Sequence, residues 1–158
     1  MKTGALILTN PKNVLADDFD PQQKLGDISC VQREILTFQR AGVDYIVLVI
    51  GKNDDDLAKH ISKMGAICLR DENDGAQEMY DRVKQGLAYL QHHCGQILIT
   101  PADVPFFSVE TVQMLMQSEA ELANPVFKEK RGHPLLLNSS LVPYFLAFSG
   151  AEGLRGAI

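Results

Sequence analysis

The sequence predicts an α/β fold of three layers, a mostly parallel sheet with helices on both faces. Three observations carry this expectation. Ala5 to Thr9 and Tyr45 to Ile50 are continuous apolar β-type runs without polar alternation, the pattern of strands buried on both faces. Segments with helical spacing of apolar residues separate one run from the next, so strand and helix alternate along the chain. A length of 158 residues predicts one domain, which buries roughly two thirds of the surface its unfolded chain exposes.

Taken in order, Ala5 to Thr9 forms the first strand. Ser29 then caps a helix on which Val31, Ile35 and Phe38 recur at i, i+4 and i+7, and Gly42 ends it. With Tyr45 to Ile50 this completes a β-α-β unit. Leu57, Ile61 and Met64 mark a second helix, Gly65 stops it, and Ala66 to Leu69 make a short third strand. Asp74 caps a longer helix with Met79, Val83, Leu87 and Leu90 on its inner face, and Gln77 stands where a capping box needs it. Ile97 to Thr100 is the fourth strand. Ser108 caps a helix through Val112 and Leu115, after which Leu122 to Lys128 reads as a strand. A break at Lys130 to Gly132 then joins it to Pro134 to Leu137. Right-handed crossovers follow from this alternation.

Composition narrows the class of partner. Apolar residues make up 46% and charged residues 22%, values of a soluble globular protein. The opening MKTGALILTNPK holds too brief an apolar run for a signal peptide or a spanning segment, so a cytoplasmic protein with no membrane partner is expected. Cys30, Cys68 and Cys94 are an odd set without CxxC or Cys/His ligand spacing, which argues for three buried thiols rather than disulfides or zinc. A net charge of −5 argues against general nucleic-acid binding, which needs clustered Lys and Arg. A small-molecule partner is expected; the pattern specifies no oligomeric state.

Chemistry is most concentrated in Gln96 to Phe106, QILITPADVPF, where an apolar run stops at Asp103 and Pro105. Ligands of open α/β sheets bind beyond the carboxyl ends of the strands, which makes Asp103 the leading candidate for a catalytic or metal-holding carboxylate. The competing reading is a helix cap, against which stands its distance from Ser108. Pro105 fixes one backbone dihedral and disfavours helix at Val104, so the turn is stiff; a stiffly held carboxylate suits a hard cation. The second candidate is Arg131 to Pro134, RGHP, where Gly132 permits close backbone approach and His133 can hydrogen-bond a ligand; an ordinary hairpin turn is the alternative. His60, His92 and His93 read as structural. The acidic groups Asp54 to Asp56 and Asp71, Glu72 and Asp74 read as solvated surface, whereas Asp17, Asp18 and Asp20 fall in the loop after the first strand.

Together, the ALIL strand from Ala5, RAGVDYIVLVIG from Arg40, TPADVPF from Thr100 and RGHPLLL from Arg131 resemble the MobA-like NTP-transferase family, which includes the molybdenum-cofactor cytidylyl- and guanylyltransferases. The resemblance spans essentially the whole chain and implies a Rossmann-like, GT-A-like nucleotidyltransferase domain over residues 1–158. It implies Mg²⁺ at Asp103, bridging phosphates. It also implies a nucleotide or nucleotide-like ligand at Thr9, Asn10, Lys24, Gly75, Gln77, Pro101 and His133.

Two departures qualify what the resemblance implies. The family's first loop, A-A-G-x-S-S-R-M-G-x-x-K, offers backbone amides and cations to the triphosphate. Here Pro11 stands at the first glycine, Leu15 at the arginine, Asp17 at the second glycine and Asp20 at the lysine. Pro11 removes an amide and the freedom to adopt positive φ. Like charges at about 4 to 6 Å repel by on the order of 3 to 4 kcal/mol near a surface, so the two aspartates oppose phosphate; Lys12 and Lys24 are the cations near enough in sequence to compensate. The chain also stops at Ile158, soon after Gly153 to Ala157, before the family's final strand and the Asp that completes its metal site. The expectation is a domain impaired in catalysis that keeps a binding or regulatory role. Its alternative is an active Mg²⁺-dependent enzyme moving CMP or GMP to a molybdopterin-like acceptor.

Overall fold

The computed structural model describes residues 1–9, 24–25, 28–51, 54–71, 79–104, 106–127 and 130–148. In chain order these form β1 (Thr3–Leu8), β2 (Lys24–Leu25), β3 (Ile28–Ser29), α1 (Cys30–Ala41), β4 (Tyr45–Gly51), α2 (Asp55–Ile61), β5 (Ile67–Asp71), α3 (Met79–Leu90) and β6 (Gln96–Pro101). There follow α4 (Val109–Met116), β7 (Leu122–Ala123), β8 (Val126–Phe127), β9 (Lys130–Arg131), β10 (Leu135–Asn138), a 3₁₀ turn (Ser139–Leu141) and α5 (Val142–Ala147).

A six-stranded sheet has the order β5-β4-β1-β6-β10-β7. β5, β4, β1 and β6 run parallel, and β10 alone is reversed, pairing antiparallel with both β6 and β7. Side chains alternate between the faces as the pleat requires. Ala5, Ile7, Ile46, Leu48, Ile50 and Leu98 pack with α1, α2 and α4. Leu6, Leu8, Val47, Val49, Ile97 and Ile99 pack with α3 and α5 on the other side. The three expected layers are therefore present. Each fully buried side chain, such as Phe38 or Leu87, contributes about 1.5–3 kcal/mol relative to exposure.

The helix boundaries follow local chemistry. Ser29 Oγ accepts the Gln32 amide at 3.2 Å while Gln32 Oε1 accepts the Ser29 amide at 3.0 Å, a reciprocal capping box at the start of α1. Gly42 ends α1 at φ 91°, a left-handed position that favours glycine. α2 stops earlier than expected, at Ile61 with Ser62 as its cap, so Met64 lies beyond it and Gly65, at φ 83°, closes the turns that follow. Ser108 Oγ accepts the Thr111 amide and caps α4.

Several expectations need correction. The segment Leu122 to Lys128 is not one strand: β7 joins the main sheet, but β8 leaves it and forms a hairpin with β9, where a break had been expected at Lys130 to Gly132. Pro125, which has no amide to donate, separates β7 from β8, and its carbonyl accepts the Gly132 amide at 2.7 Å. The third strand begins one residue later than expected and extends to Asp71. Cys30 and Cys94 are buried, whereas Cys68 is only partly so. The expected cap at Asp74 and Gln77 lies outside the described residues, although Val83, Leu87 and Leu90 form the buried face of α3 as the spacing indicated. No helix among the described residues is long and apolar enough to cross a membrane.

Candidate functional site at the ends of β1 and β6

The order β5-β4-β1-β6 locates the site. From β1 the chain winds outward through β4 to β5, then returns across the sheet to place β6 on the other edge of β1. Connections therefore leave β1 and β6 in opposite directions, and a crevice opens beyond their carboxyl ends. Leu8 is paired with Pro101 in register, and the Ala102 amide donates to Leu8 O at 2.9 Å, so the turn after β6 is tied to β1. Val104 donates to Pro101 O at 3.3 Å and closes that turn around Asp103, which is exposed. Ser108, not Asp103, caps the following helix.

The charge of Asp103 acts on groups from two other segments. On α1, Glu34 is fully buried on the apolar stripe with Val31, Ile35 and Phe38. Burial pushes its carboxyl up to about 10, the Asp103 carboxylate adds to this, and the Val104 amide opposes it. That amide is bonded to Pro101 O and only faces the carboxyl, so neither Glu34 oxygen accepts a well-formed hydrogen bond among the described residues. Cys30, one turn earlier, has its thiol raised by burial first, then by Glu34 and more weakly by Asp103. In the segment entering β10, His133 is exposed at its edge; the protein around it lowers its pKa, and Asp103 partly restores it. The His133–Pro134 peptide is cis.

A second polar group lies at the ends of β1, β4 and β5. Arg82 of α3 donates through Nε to Asp71 Oδ2 at 3.1 Å and through Nη1 to Thr9 O at 2.9 Å and Thr9 Oγ1 at 2.8 Å. Thr9 Oγ1 in turn donates to Val49 O at 2.7 Å. Arg82 and Asp71 are only 4% and 3% exposed; removing one partner of such a buried pair costs about 3–5 kcal/mol. Gly51 ends β4 with its amide donating to Asp54 Oδ2 at 2.8 Å, and a Cβ at that position would displace the carboxylate.

The structure thus brings Thr9, Pro101, Asp103 and His133 to the carboxyl ends of β1 and β6, with the Thr9 side chain committed to Val49 and Arg82. Lys24 lies in β2, its backbone paired with Ser29. Asn10, Gly75 and Gln77 lie outside the described residues, as does the loop that carries Pro11, Leu15, Asp17 and Asp20. Glu34 and Arg82 were not singled out from sequence, and Asp71, expected on the solvated surface, is instead buried and held by Arg82. Position 34 falls three residues after Val31 on the same helical stripe, a signal that was there to be read. A separate cleft of about 770 Å³, lined by Met1, Gln96, Gln113, Gln117, Glu119 and Asn138 among others, opens at the opposite, amino ends of the parallel strands. Among the described residues no three His, Cys, Asp or Glu side chains assemble a metal cage.

A sequence comparison with curated proteins finds no match. Solved structures are similar in fold. Rv0371c of Mycobacterium tuberculosis H37Rv, in complex with manganese, superposes with a TM-score of 0.79 at 13% identity, over 98% of this chain and 80% of that one. A nucleotidyl transferase from Methanothermobacter thermautotroptrophicus gives 0.72 at 15% identity, over 94% and 77%. A CMP:2-keto-3-deoxy-manno-octonic acid synthetase complexed with CTP gives 0.70 at 11% identity, over 99% and 82%. At these identities the likeness establishes the GT-A-like nucleotidyltransferase fold, and a family-level match over residues 21–158 goes further: the chain belongs to the MobA-like NTP transferase domain family.

Proposed function

We propose that this domain binds a nucleotide or nucleotide-like small molecule in the crevice beyond β1 and β6, with Asp103 holding a divalent cation, and that nucleotidyl transfer is impaired. The reading is carried by the exposed Asp103 on a turn tied to the end of β1 through the 2.9 Å Ala102–Leu8 hydrogen bond. Fixed there, the carboxylate does not have to be ordered when ligand arrives. With no three-residue cage among the described residues, the donor set fits a hard dication that one or two carboxylates share with substrate phosphates and water. Mg²⁺ fits that description. Bound there, it would neutralise phosphate charge, while the turn orients the carboxylate.

Impairment rests on the first loop. Proline, leucine and two aspartates occupy the positions of the family's glycines, arginine and lysine, and the family match begins at residue 21, beyond them. Calorimetric titration of CTP, GTP, CMP and GMP, each with and without Mg²⁺, tests both parts. Monophosphate binding without a preference for triphosphate is the expected result. Tight, Mg²⁺-dependent triphosphate binding would overturn the impairment, and no heat from any nucleotide would overturn the ligand class. The retained Asp103 turn favours one alternative, an active transferase passing CMP or GMP to a molybdopterin-like phosphorylated acceptor. Pyrophosphate released from CTP or GTP with Mg²⁺ only when a molybdopterin-like phosphorylated acceptor is added would establish it.

A further inference from the structure

We propose that Glu34 is a second carboxylate ligand for the divalent cation at Asp103, reaching the site from α1 beneath the turn of residues 101–104. This rests on the assignment of Asp103 above. The supporting observation is geometric. Glu34 is 0% exposed and stands among Val31, Ile35 and Phe38, where an apolar side chain would pack without penalty. Both of its oxygens are buried, and the Val104 amide that faces them is bonded to Pro101 O and makes no well-formed hydrogen bond to either, so neither has a full partner among the described residues. Buried orphan acceptors of this kind call for an occupant such as an ion or a water.

The surroundings favour an ion. The groups that act on the Glu34 carboxyl are Asp103 and the Val104 amide, both from the turn at the switch point. One carboxylate can share a dication with phosphate and water, and a second adds charge and a further donor to the protein's side of the site. The dication would supply the charge that stabilises Glu34 as a carboxylate despite its burial. Ligation needs that form, so binding passes the Glu34 proton to solvent. Asp103 also acts on Cys30 and His133, and among the described residues no three such side chains converge.

The test is Mn²⁺ alone, counted as free ion by electron paramagnetic resonance during titration of the full chain. Wild type is compared with Glu34→Gln, Glu34→Leu and Asp103→Asn, each checked by thermal melting for folding. Gln keeps the shape of the neutral acid and Leu suits the apolar stripe, so two independent variants report on position 34. Both are expected to weaken Mn²⁺ binding by about tenfold or more, as removal even of a ligand's hydrogen-bond partner does. Asp103→Asn should weaken it as well. Wild-type affinity in both Glu34 variants, with loss only in Asp103→Asn, would overturn this inference in favour of a buried water and leave the Asp103 assignment standing. Unchanged binding in Asp103→Asn, or no binding by wild type, would overturn both.

Discussion

Among single residues, Glu34 has the largest consequence for stability. Its carboxyl keeps a proton in the folded state up to about pH 10, while the unfolded chain releases it near 4.5. The folded state therefore binds more protons between these values, and stability falls as pH rises through that window, by at most about 1.4 kcal/mol per pH unit. This is the reverse of an ion-paired carboxylate. Glu34→Gln should remove that slope, and Glu34→Leu should also raise stability at pH 7 by about 1–3 kcal/mol, because an unsatisfied buried group disappears. Urea melts from pH 5 to 9 measure both; an unchanged slope in the variants would show that other groups set the pH response. Asp103 was legible from sequence because a carboxylate and two prolines interrupt an apolar run. Glu34 was not, because a charged residue in a helix is ordinarily solvated and only its place on the stripe marks it as buried.

At the scale of elements, the start of α1 joins several local signals. The reciprocal bonds of Ser29 and Gln32 satisfy two backbone donors, and His60 Nε2 of α2 lies 2.8 Å from Ser29 Oγ. Ser29→Ala should cost about 1 kcal/mol, within the 0.5–2 kcal/mol range of lost caps, and should loosen α2 against α1. Chemical denaturation together with amide exchange over residues 55–61 would measure this, and slowed exchange there would contradict it. Such caps were readable because they lie within a few residues of one another. The β8–β9 hairpin and the reversal of β10 were not, since alternation predicts that a strand exists but not which edge receives it. The pairing of Leu136 with both Leu98 and Ala123 is decided by neighbours remote in sequence.

For the molecule as a whole, a six-stranded sheet of the family's fold stands against a first loop whose composition departs from the family pattern. If that loop alone was lost, the combined change Pro11→Gly, Leu15→Arg, Asp17→Gly and Asp20→Lys should raise triphosphate affinity by at least about tenfold, since 1.4 kcal/mol suffices for that factor. Calorimetry against CTP and GTP would show it, and no gain would locate the difference elsewhere in the crevice. Family membership was legible because four separated motifs lie on or beside sheet strands, while the polar groups gathered from α1 and α3 required the fold to bring them there. The position of β1 between β4 and β6 also imposes an order of assembly. Its Thr3 hydroxyl accepts from Gln96, 93 residues later in the chain. A ribosome must therefore deliver most of the protein before the second edge of β1 is covered, and until then a half-sheet carries unpaired backbone donors and acceptors. The crevice is thus among the last features the growing chain acquires.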